Sequence, residues 1–279
     1  MPTIHSLNVY PVKSCRGTGL EEALVTEAGF LHDREWMFVR ADGCFITQRE
    51  EPRLALIAPV LREQTLELNA PGMDTLTVDA NAGGTATKVT VWRDSVPAFD
   101  MGEPAADWIT RYLGSAARLV RFDSRHRRAS NTSWTGGIEA LNRFSDGYPW
   151  LVISRGSLDD LNSRLEQPLP MNRFRPNIVL DGVPAYAEDR IAELIVGTVR
   201  LRIVKPCTRC AITTTDQSTA ERGKEPLRTL LKYRYSSELK GVLFGQNAIL
   251  IAGAGEKLRT GTAVEIVWKD ELSSPAAAS

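Results

Sequence analysis

The chain has 279 residues, of which 43% are hydrophobic and 24% are charged. This is the composition of a globular protein, and the length suits one large domain or two of ordinary size. The 34 lysines and arginines balance the 34 aspartates and glutamates, so the formal net charge is zero. A chain without net charge has no general attraction for a nucleic-acid polymer or an anionic membrane, and neither is expected as a partner.

The N-terminus and the cysteine content bear on the location of the protein. The first residues lack the basic and apolar regions of a signal peptide, and no apolar run approaches the roughly 20 residues needed to cross a bilayer. The four cysteines are too few for a disulfide scaffold in a chain of this size. These features predict a cytoplasmic protein with reduced thiols and no membrane contact.

Short alternating apolar segments dominate the first hundred residues and predict strands. They lie at residues 7–9, 36–39, 54–57, 66–68, 76–78 and 89–92. Turn residues such as Asp42-Gly43 and Pro71-Gly72 separate them. Many short strands joined by tight turns are typical of a curled antiparallel sheet or a barrel.

A helix is predicted after these strands. Pro104 suits a first helical position, and the residues that follow keep the spacing of one buried helix face. These residues are Ala105, Trp108, Ile109, Tyr112 and Leu113. We place a domain boundary after this helix, where five arginines between residues 118 and 128 form a basic cluster that could dock an acidic partner. The predicted domains are residues 1–122 and 123–269, followed by a disordered tail at 270–279.

The second half mixes strands and helices, so the expected fold is α+β and predominantly β. Strands are predicted at residues 150–153, 177–180, 193–196, 199–204, 211–215, 248–251 and 264–268. Ser157 is predicted to cap one helix. A second helix is predicted from Pro226, burying Leu227, Leu230 and Leu231.

The segment 205–210, Lys-Pro-Cys-Thr-Arg-Cys, is the first candidate for chemistry. Cys207 and Cys210 are three residues apart, so both thiols can reach one metal or form a redox disulfide. A structural zinc site needs two further ligands, which the remaining cysteines and the three scattered histidines do not supply. A thioredoxin-like pair opens a helix, whereas the β-branched residues 211–215 favour extended chain.

Two interpretations of this cysteine pair remain open. Both cysteines can be buried and act as small hydrophobic residues. Alternatively, the flanking Lys205 and Arg209 favour the thiolate form, which binds metals and acts as a nucleophile.

Other candidates stand in turns beside predicted strands. Lys13 with Ser14 can bind a phosphate, and the planar groups of Arg34 and Arg175 can bind an anion through two hydrogen bonds. Each cation can equally be a solvated surface charge. Asp146 can be a proton donor at a site mouth or a turn residue bonded to its own backbone. Neither a GxxxxGK[ST] nor a GxGxxG pattern is present, so nucleotide sites of those types are not indicated.

Several of these motifs occur together, in this order, in one known family. Segments 9–15 (Val-Tyr-Pro-Val-Lys-Ser-Cys) and 33–36 (Asp-Arg-Glu-Trp) resemble the N-terminal β-barrel domain that accompanies many MOSC domains. Segments 173–177, 207–210, 225–227 and 244–247 resemble the MOSC domain itself. Within that family the chain resembles the YcbX-like and amidoxime-reducing members.

The resemblance implies a molybdenum cofactor, a molybdopterin whose metal takes a cysteine thiolate as its protein ligand. By position in the motif that ligand, which is also a catalytic residue, is Cys210. Asp146 is implied beside the metal as a second catalytic residue. The implied cofactor-binding residues are Lys13, Ser14 and Arg34 at the phosphate end, and Arg175, Thr208, Arg209 and Asn247 near the pterin or the metal.

The resemblance also implies an activity and an architecture. The activity is reduction of N-hydroxylated compounds (amidoximes, hydroxylamines and N-hydroxylated bases) by oxygen abstraction at the cysteine-ligated molybdenum. Electrons would come from a separate ferredoxin-, flavodoxin- or cytochrome-type protein with its reductase, because no cysteines remain for an iron–sulfur cluster. The architecture is two β-barrel-like domains with peripheral helices and the cofactor in the cleft between them.

Three alternatives stay open at this point. The first is a sulfurtransferase that carries a persulfide on Cys210. The second is a carrier that stores molybdenum cofactor, and the third is a MOSC-like fold that has lost its cofactor.

Overall fold

A computed structural model describes residues 1–81 and 83–269, so the predicted disordered tail lies outside the described residues. The strands up to residue 122 are β1 (Thr3–Val9), β2 (Thr18–Leu20), β3 (Glu22–Thr26), β4 (Gly29–Phe30), β5 (Trp36–Arg40), β6 (Ala58–Leu61), β7 (Thr65–Asn69), β8 (Leu76–Asp79), β9 (Thr85–Val91), β10 (Asp94–Asp100) and β11 (Ala117–Phe122). The later strands are β12 (Trp150–Ser154), β13 (Ile178–Asp181), β14 (Ile191–Val196), β15 (Val199–Thr208), β16 (Tyr235–Ser236), β17 (Gly241–Ala252), β18 (Lys257–Arg259) and β19 (Glu265–Trp268). The α-helices are α1 (Glu103–Leu113), α2 (Thr132–Thr135), α3 (Arg155–Ser163) and α4 (Leu227–Leu230). The short 3₁₀ helices are Pro52–Leu56, Met171–Arg173, Ala187–Arg190 and Ala211–Thr214.

The largest sheet joins the start of the chain to its second half. Its strand order is β19-β14-β15-β17-β12-β13-β1-β2, and β16 pairs with β17 at one side. Strand β1 runs antiparallel to β13, with Leu7 opposite Ile178. Two further sheets, β5-β11-β10-β9 and β6-β7-β8, are built from residues 36–122, and a third joins β18 to β3 and β4. The fold is therefore α+β and predominantly β, as predicted, and the boundary between residues 122 and 123 stays a prediction.

Helix α1 confirms the apolar pattern read from the sequence. Pro104 lies in its first turn, and the five residues of the predicted face are all buried. They pack into a core with β5, β7 and β8. Gly114 ends the helix in the left-handed conformation, with φ of 72°, which glycine adopts without a side-chain clash.

Two predicted strands are wrong, and the local structure explains the difference in both cases. Residues 54–57 were expected to be extended, but Pro52 opens a 3₁₀ helix there, since its fixed φ suits a first helical turn. Residues 211–215 were also expected to be a strand. Instead, the hydroxyls of Thr213 and Thr214 donate to the carbonyls of Cys210 and Ala211, which stabilises a 3₁₀ turn.

Two helix details also differ from prediction. The cap of α3 is Ser154 rather than Ser157, and the Ser154 hydroxyl accepts a hydrogen bond from the Ser157 amide. Helix α4 ends at Leu230, so Leu231 points away from the core and is 57% exposed.

The basic cluster predicted to dock an acidic partner is neutralised within the protein. Each of its five arginines pairs with a carboxylate of the same chain. The pairs are Arg118–Asp100, Arg121–Glu35, Arg125–Asp123, Arg127–Glu139 and Arg128–Asp94. Because these carboxylates cancel the local charge, the cluster offers no net positive surface and the docking hypothesis loses its basis.

Glu188 is a fully buried carboxyl beside the start of α3. Its hydrogen-bond donors are neutral: the hydroxyls of Ser157 at 2.6 Å and Ser154 at 2.9 Å, and the Ser154 amide at 3.2 Å. Burial raises the pKa of this carboxyl above its ordinary value.

The raised pKa of Glu188 predicts a loss of stability towards higher pH. The contribution is fully present below the unfolded pKa of about 4.3 and is lost as pH rises through the higher folded pKa. Glu188→Gln removes the titration and nearly keeps the shape, so its free energy of unfolding is expected to fall less than that of the wild type between pH 5 and pH 8. Urea unfolding at both pH values measures this, with the exposed Glu139→Gln as control. Equal pH dependence in the wild type and Glu188→Gln would contradict the prediction.

Candidate functional site

A cleft brings together residues that lie far apart in the sequence. It has a volume of about 140 Å³. Seven of the predicted site residues line it: Lys13, Ser14, Arg34, Asp146, Arg175, Arg209 and Asn247. The other two, Thr208 and Cys210, line an adjacent cavity of about 480 Å³ that shares Asp146, Cys207 and Arg209 with the cleft. All nine predicted residues therefore lie on one continuous surface, and their roles remain a proposal.

Lys13 and Asp146 form an ion pair at this cleft. The Lys13 Nζ lies 2.5 Å from Asp146 Oδ1 and also donates to the Phe144 carbonyl at 2.7 Å. The lysine side chain is 5% exposed, whereas the carboxylate is 55% exposed at the cleft mouth. Burial lowers the pKa of Lys13, although Asp146 opposes the shift. Partial desolvation raises the pKa of Asp146, but the Lys13 charge outweighs it and holds that pKa well below its usual range.

A second group of cations packs against Tyr10. The guanidinium carbons of Arg34 and Arg175 lie 4.4 and 4.2 Å from the centre of its ring. Arg34 pairs with Asp33 and donates to Asn177 Oδ1 at 2.9 Å, which fixes its position between the two halves of the chain. Burial lowers the pKa of Arg175 to about 10 and raises that of Tyr10 to about 12. At neutral pH Arg175 is therefore a cation and Tyr10 is neutral.

The backbone is strained at five residues of this surface, one of which, Lys240, has φ of 50°. Ser14, Arg34, Trp92 and Arg175 have φ of 66°, 47°, 59° and 57°, in the left-handed region that favours glycine. Such conformations cost on the order of 1–3 kcal/mol each and persist where the surrounding structure holds them. Their concentration at one surface is typical of a functional site.

The two cysteines have different surroundings. Cys207 accepts a hydrogen bond from Arg209 Nη1 at 2.9 Å and packs against the apolar cluster around Phe174 and Phe244. Cys210 is half-buried at the end of the motif, and it lines the same cavity as Trp92. Both cysteines line the larger cavity, so they are not simply two buried apolar residues, and only Cys207 also packs against an apolar cluster.

Several residues of the site were missed by the sequence analysis. Trp92 and Arg49 line the larger cavity, and Tyr148 and Trp150 line the cleft. Trp92 and Trp150 lie in segments predicted as strands, so they were interpreted as ordinary sheet residues and not as site residues. The turn around Asp146 could have suggested Tyr148, since the two residues lie two positions apart.

Two family models match the sequence. One, the MOSC N-terminal beta barrel domain, matches residues 1–116, and the other, the MOSC domain, matches residues 140–265. The chain belongs to the MOSC family. The cleft of this MOSC protein therefore lies between the segments that the two models match. The N-terminal segment contributes Lys13 and Arg34, and the MOSC segment contributes Asp146 and Arg209.

Curated relatives of this MOSC protein share most of its length. It is 38% identical over 257 residues to human mitochondrial amidoxime-reducing component 1, covering 88% of this chain and 76% of the relative. It is 37% identical over 254 residues to the mouse protein of the same name, covering 88% and 75%. It is also 28% identical to bovine molybdenum cofactor sulfurase, covering 83% of this chain but 29% of that relative.

These names overturn the predicted cytoplasmic location. The human and mouse relatives of the MOSC protein are named as mitochondrial components. The prediction was wrong because proteins of several compartments share this overall composition and reduced cysteines, which therefore do not specify one compartment. Within residues 1–81 and 83–269, no helix has both the length and the apolar character needed to cross a membrane.

Proposed function

We propose that this protein holds a molybdenum cofactor in the cleft and reduces N-hydroxylated compounds such as amidoximes, hydroxylamines and N-hydroxylated bases. The observation that carries the proposal is the convergence of Lys13, Arg34, Arg175 and Arg209 with Cys210 on one surface. The names of the human and mouse relatives support the same activity.

The chemistry of the cleft fits such a cofactor. Lys13 and the two arginines beside Tyr10 suit a phosphate, which arginine binds through paired hydrogen bonds. The Cys210 thiol can supply the soft sulfur ligand that the metal needs. Among the described residues, three polar atoms that belong to cleft residues are buried without a hydrogen-bond partner: Tyr148 Oη, Trp150 Nε1 and Arg209 Nε. Buried polar atoms of this kind need a ligand or an ordered water to complete their hydrogen bonding.

Each part of the site has a distinct task in this proposal. Lys13, Ser14 and Arg34 hold the phosphate end, while Arg175, Thr208, Arg209 and Asn247 orient the pterin, and Cys210 binds the metal. The bound cofactor supplies the two-electron redox chemistry.

Loss of oxygen from nitrogen also consumes protons, and the Lys13–Asp146 pair handles them at the cleft mouth. The carboxylate is ionised at neutral pH because Lys13 lowers its pKa, so within the pair the proton is held by Lys13 rather than by Asp146. Lys13, whose pKa is lowered by burial, is the neighbouring group that carries a proton.

The test is to purify the protein from a host that makes molybdopterin and to measure molybdenum and turnover together. Near-stoichiometric molybdenum and reduction of an aryl amidoxime by a chemical reductant are expected. Electrons in the cell would come from a ferredoxin-, flavodoxin- or cytochrome-type protein, so each type is tried with its reductase. Bound cofactor without turnover under any donor would indicate a carrier, and a persulfide on molybdenum-free protein would indicate sulfur transfer.

Lys13→Ala and Arg34→Ala are expected to weaken cofactor retention. Each variant removes a charge-assisted contact worth roughly 1.5–3 kcal/mol, which corresponds to a loss of affinity of about tenfold to hundredfold. Molybdenum per protein after dialysis measures the effect. Arg125→Ala is the matched control, since it removes a cation whose side chain is 78% exposed and paired with Asp123 outside the cleft. Full molybdenum occupancy in both site variants would mean that the phosphate end of the cofactor binds elsewhere.

A further inference from the structure

We propose that Trp92 is the wall of the substrate pocket and makes the protein selective for flat, conjugated N-hydroxylated compounds. This inference rests on the reductase function proposed above and adds the substrate class. It concerns the larger cavity beside the cleft, which Trp92 and Arg49 line together with residues 207–210 and 239–241.

Trp92 occupies a backbone position that suits a much smaller residue. It is the first residue of the two-residue turn between β9 and β10, where Val91 pairs with Asp94. Its φ is 59°, and turns of this kind take Gly, Asn or Asp at such a position. A tryptophan there is strained and also leaves 47% of its surface exposed. Neither feature helps the hairpin to fold, so a role in binding is the better explanation.

Neighbouring side chains hold the indole in one place. Its Nε1 donates to Asp146 Oδ1 at 3.2 Å. The Phe45 ring lies 5.1 Å away between ring centres, and the Arg49 guanidinium carbon lies 4.7 Å from the ring. An exposed aromatic side chain fixed by three partners is preorganised, so a ligand that contacts it does not have to order it first.

The cavity beside the indole has the size and position of a substrate pocket. Its volume is about 480 Å³, within the range of about 300–1,000 Å³ typical of small-molecule sites. Cys210, the proposed metal ligand, and Asp146, the proposed proton-handling group, both line it. A compound bound against Trp92 therefore lies in the same cavity as both groups.

The chemistry of this wall favours flat substrates. An aromatic ring stacks well against a conjugated, planar group and less well against a saturated chain. The amidine product of an amidoxime is a cation, which an indole and the Asp146 carboxylate both attract. We expect an aryl amidoxime to be preferred over an alkyl hydroxylamine, and about tenfold of that preference to come from Trp92.

The test compares kcat/KM for an aryl amidoxime and an alkyl hydroxylamine in four proteins: wild type, Trp92→Gly, Trp92→Phe and Arg93→Ala. The ratio is expected to fall roughly tenfold in Trp92→Gly. It should be largely kept in Trp92→Phe, which retains an aromatic wall, and in Arg93→Ala, which changes the same turn but not the cavity lining. Glycine suits the φ of this position, so the unfolding midpoint of Trp92→Gly should be no lower than that of the wild type.

A binding measurement separates this inference from the reductase function. Calorimetry with the aryl amidine is expected to show roughly tenfold weaker binding to Trp92→Gly than to the wild type or to Trp92→Phe. If the wild type reduces both substrates and Trp92→Gly keeps the ratio and the affinity, the inference is overturned and the reductase function stands. If Trp92→Phe loses as much as Trp92→Gly, the hydrogen bond to Asp146 matters and the wall does not. If the wild type reduces neither substrate, the reductase function fails, and unchanged amidine affinity in Trp92→Gly would overturn this inference as well.

Discussion

Cys210→Ser is expected to reduce turnover of an aryl amidoxime to the background rate. A serine hydroxyl is a poor replacement for a soft thiolate at a high-valent metal. The fold should survive, because Cys210 is half-buried at a cavity wall and its carbonyl, which accepts the hydrogen bonds of the following 3₁₀ turn, is unchanged. Molybdenum content, the absorption spectrum and turnover are measured on the same preparation.

Cys207→Ser is the matched control for this variant. Cys207 packs against apolar residues and accepts a hydrogen bond from Arg209, so a serine there is expected to cost some stability and leave most of the turnover. A spectrum lost in Cys207→Ser and kept in Cys210→Ser would reverse the assignment of the metal ligand.

Asp146→Asn is expected to lower turnover by about 10²–10⁴-fold, the range typical of assistance by a positioned proton-transfer group. Asparagine keeps the size of the side chain and can still accept hydrogen bonds from Lys13 and Trp92. It cannot carry the negative charge that pairs with the Lys13 ammonium. Molybdenum content should therefore remain close to that of the wild type while turnover falls.

Asp94→Asn provides a matched control. Asp94 is 53% exposed and pairs with the buried Arg128, much as Asp146 is 55% exposed and pairs with the buried Lys13, but Asp94 does not line the cleft. Turnover in Asp94→Asn should stay near the wild-type value. Near-normal turnover in Asp146→Asn would instead leave Asp146 as a turn residue that orders its own loop, and protons would come from water or substrate.

Local patterns in the sequence predicted much of the fold. A run of apolar residues located β5, which is buried on both faces. Alternating residues located β7 and β8, and the spacing of Trp108 and Ile109 located α1, because one face of each of these elements is buried. The same reasoning failed at residues 211–215, since threonine hydroxyls can satisfy backbone carbonyls locally and make a β-branched run helical. The pairing of β1 with β13 depends on contacts between distant parts of the chain, which periodicity does not contain.

The candidate site was predicted through motifs rather than through chemistry alone. Cations beside turns are common on protein surfaces, and only their occurrence in a known order distinguished Lys13, Arg34 and Arg175 from ordinary charges. Trp92 could not be found in this way. Its importance comes from a positive φ and from a contact with Asp146, 54 positions away, and both exist only in the folded chain.

The strand order also determines when the largest sheet can form while the protein is being synthesised. Strand β1 is made before β13, and Ile178, the partner of Leu7, is made 171 residues after it (178 − 7). At about 5–20 residues per second, the edge of β1 waits roughly 9–34 s for that partner. Asn247, the last residue of the proposed cofactor site, follows later still. The proposed cofactor therefore has a complete site to enter only after residue 247 is made, and a slow cofactor supply would leave folded apoprotein waiting to be loaded.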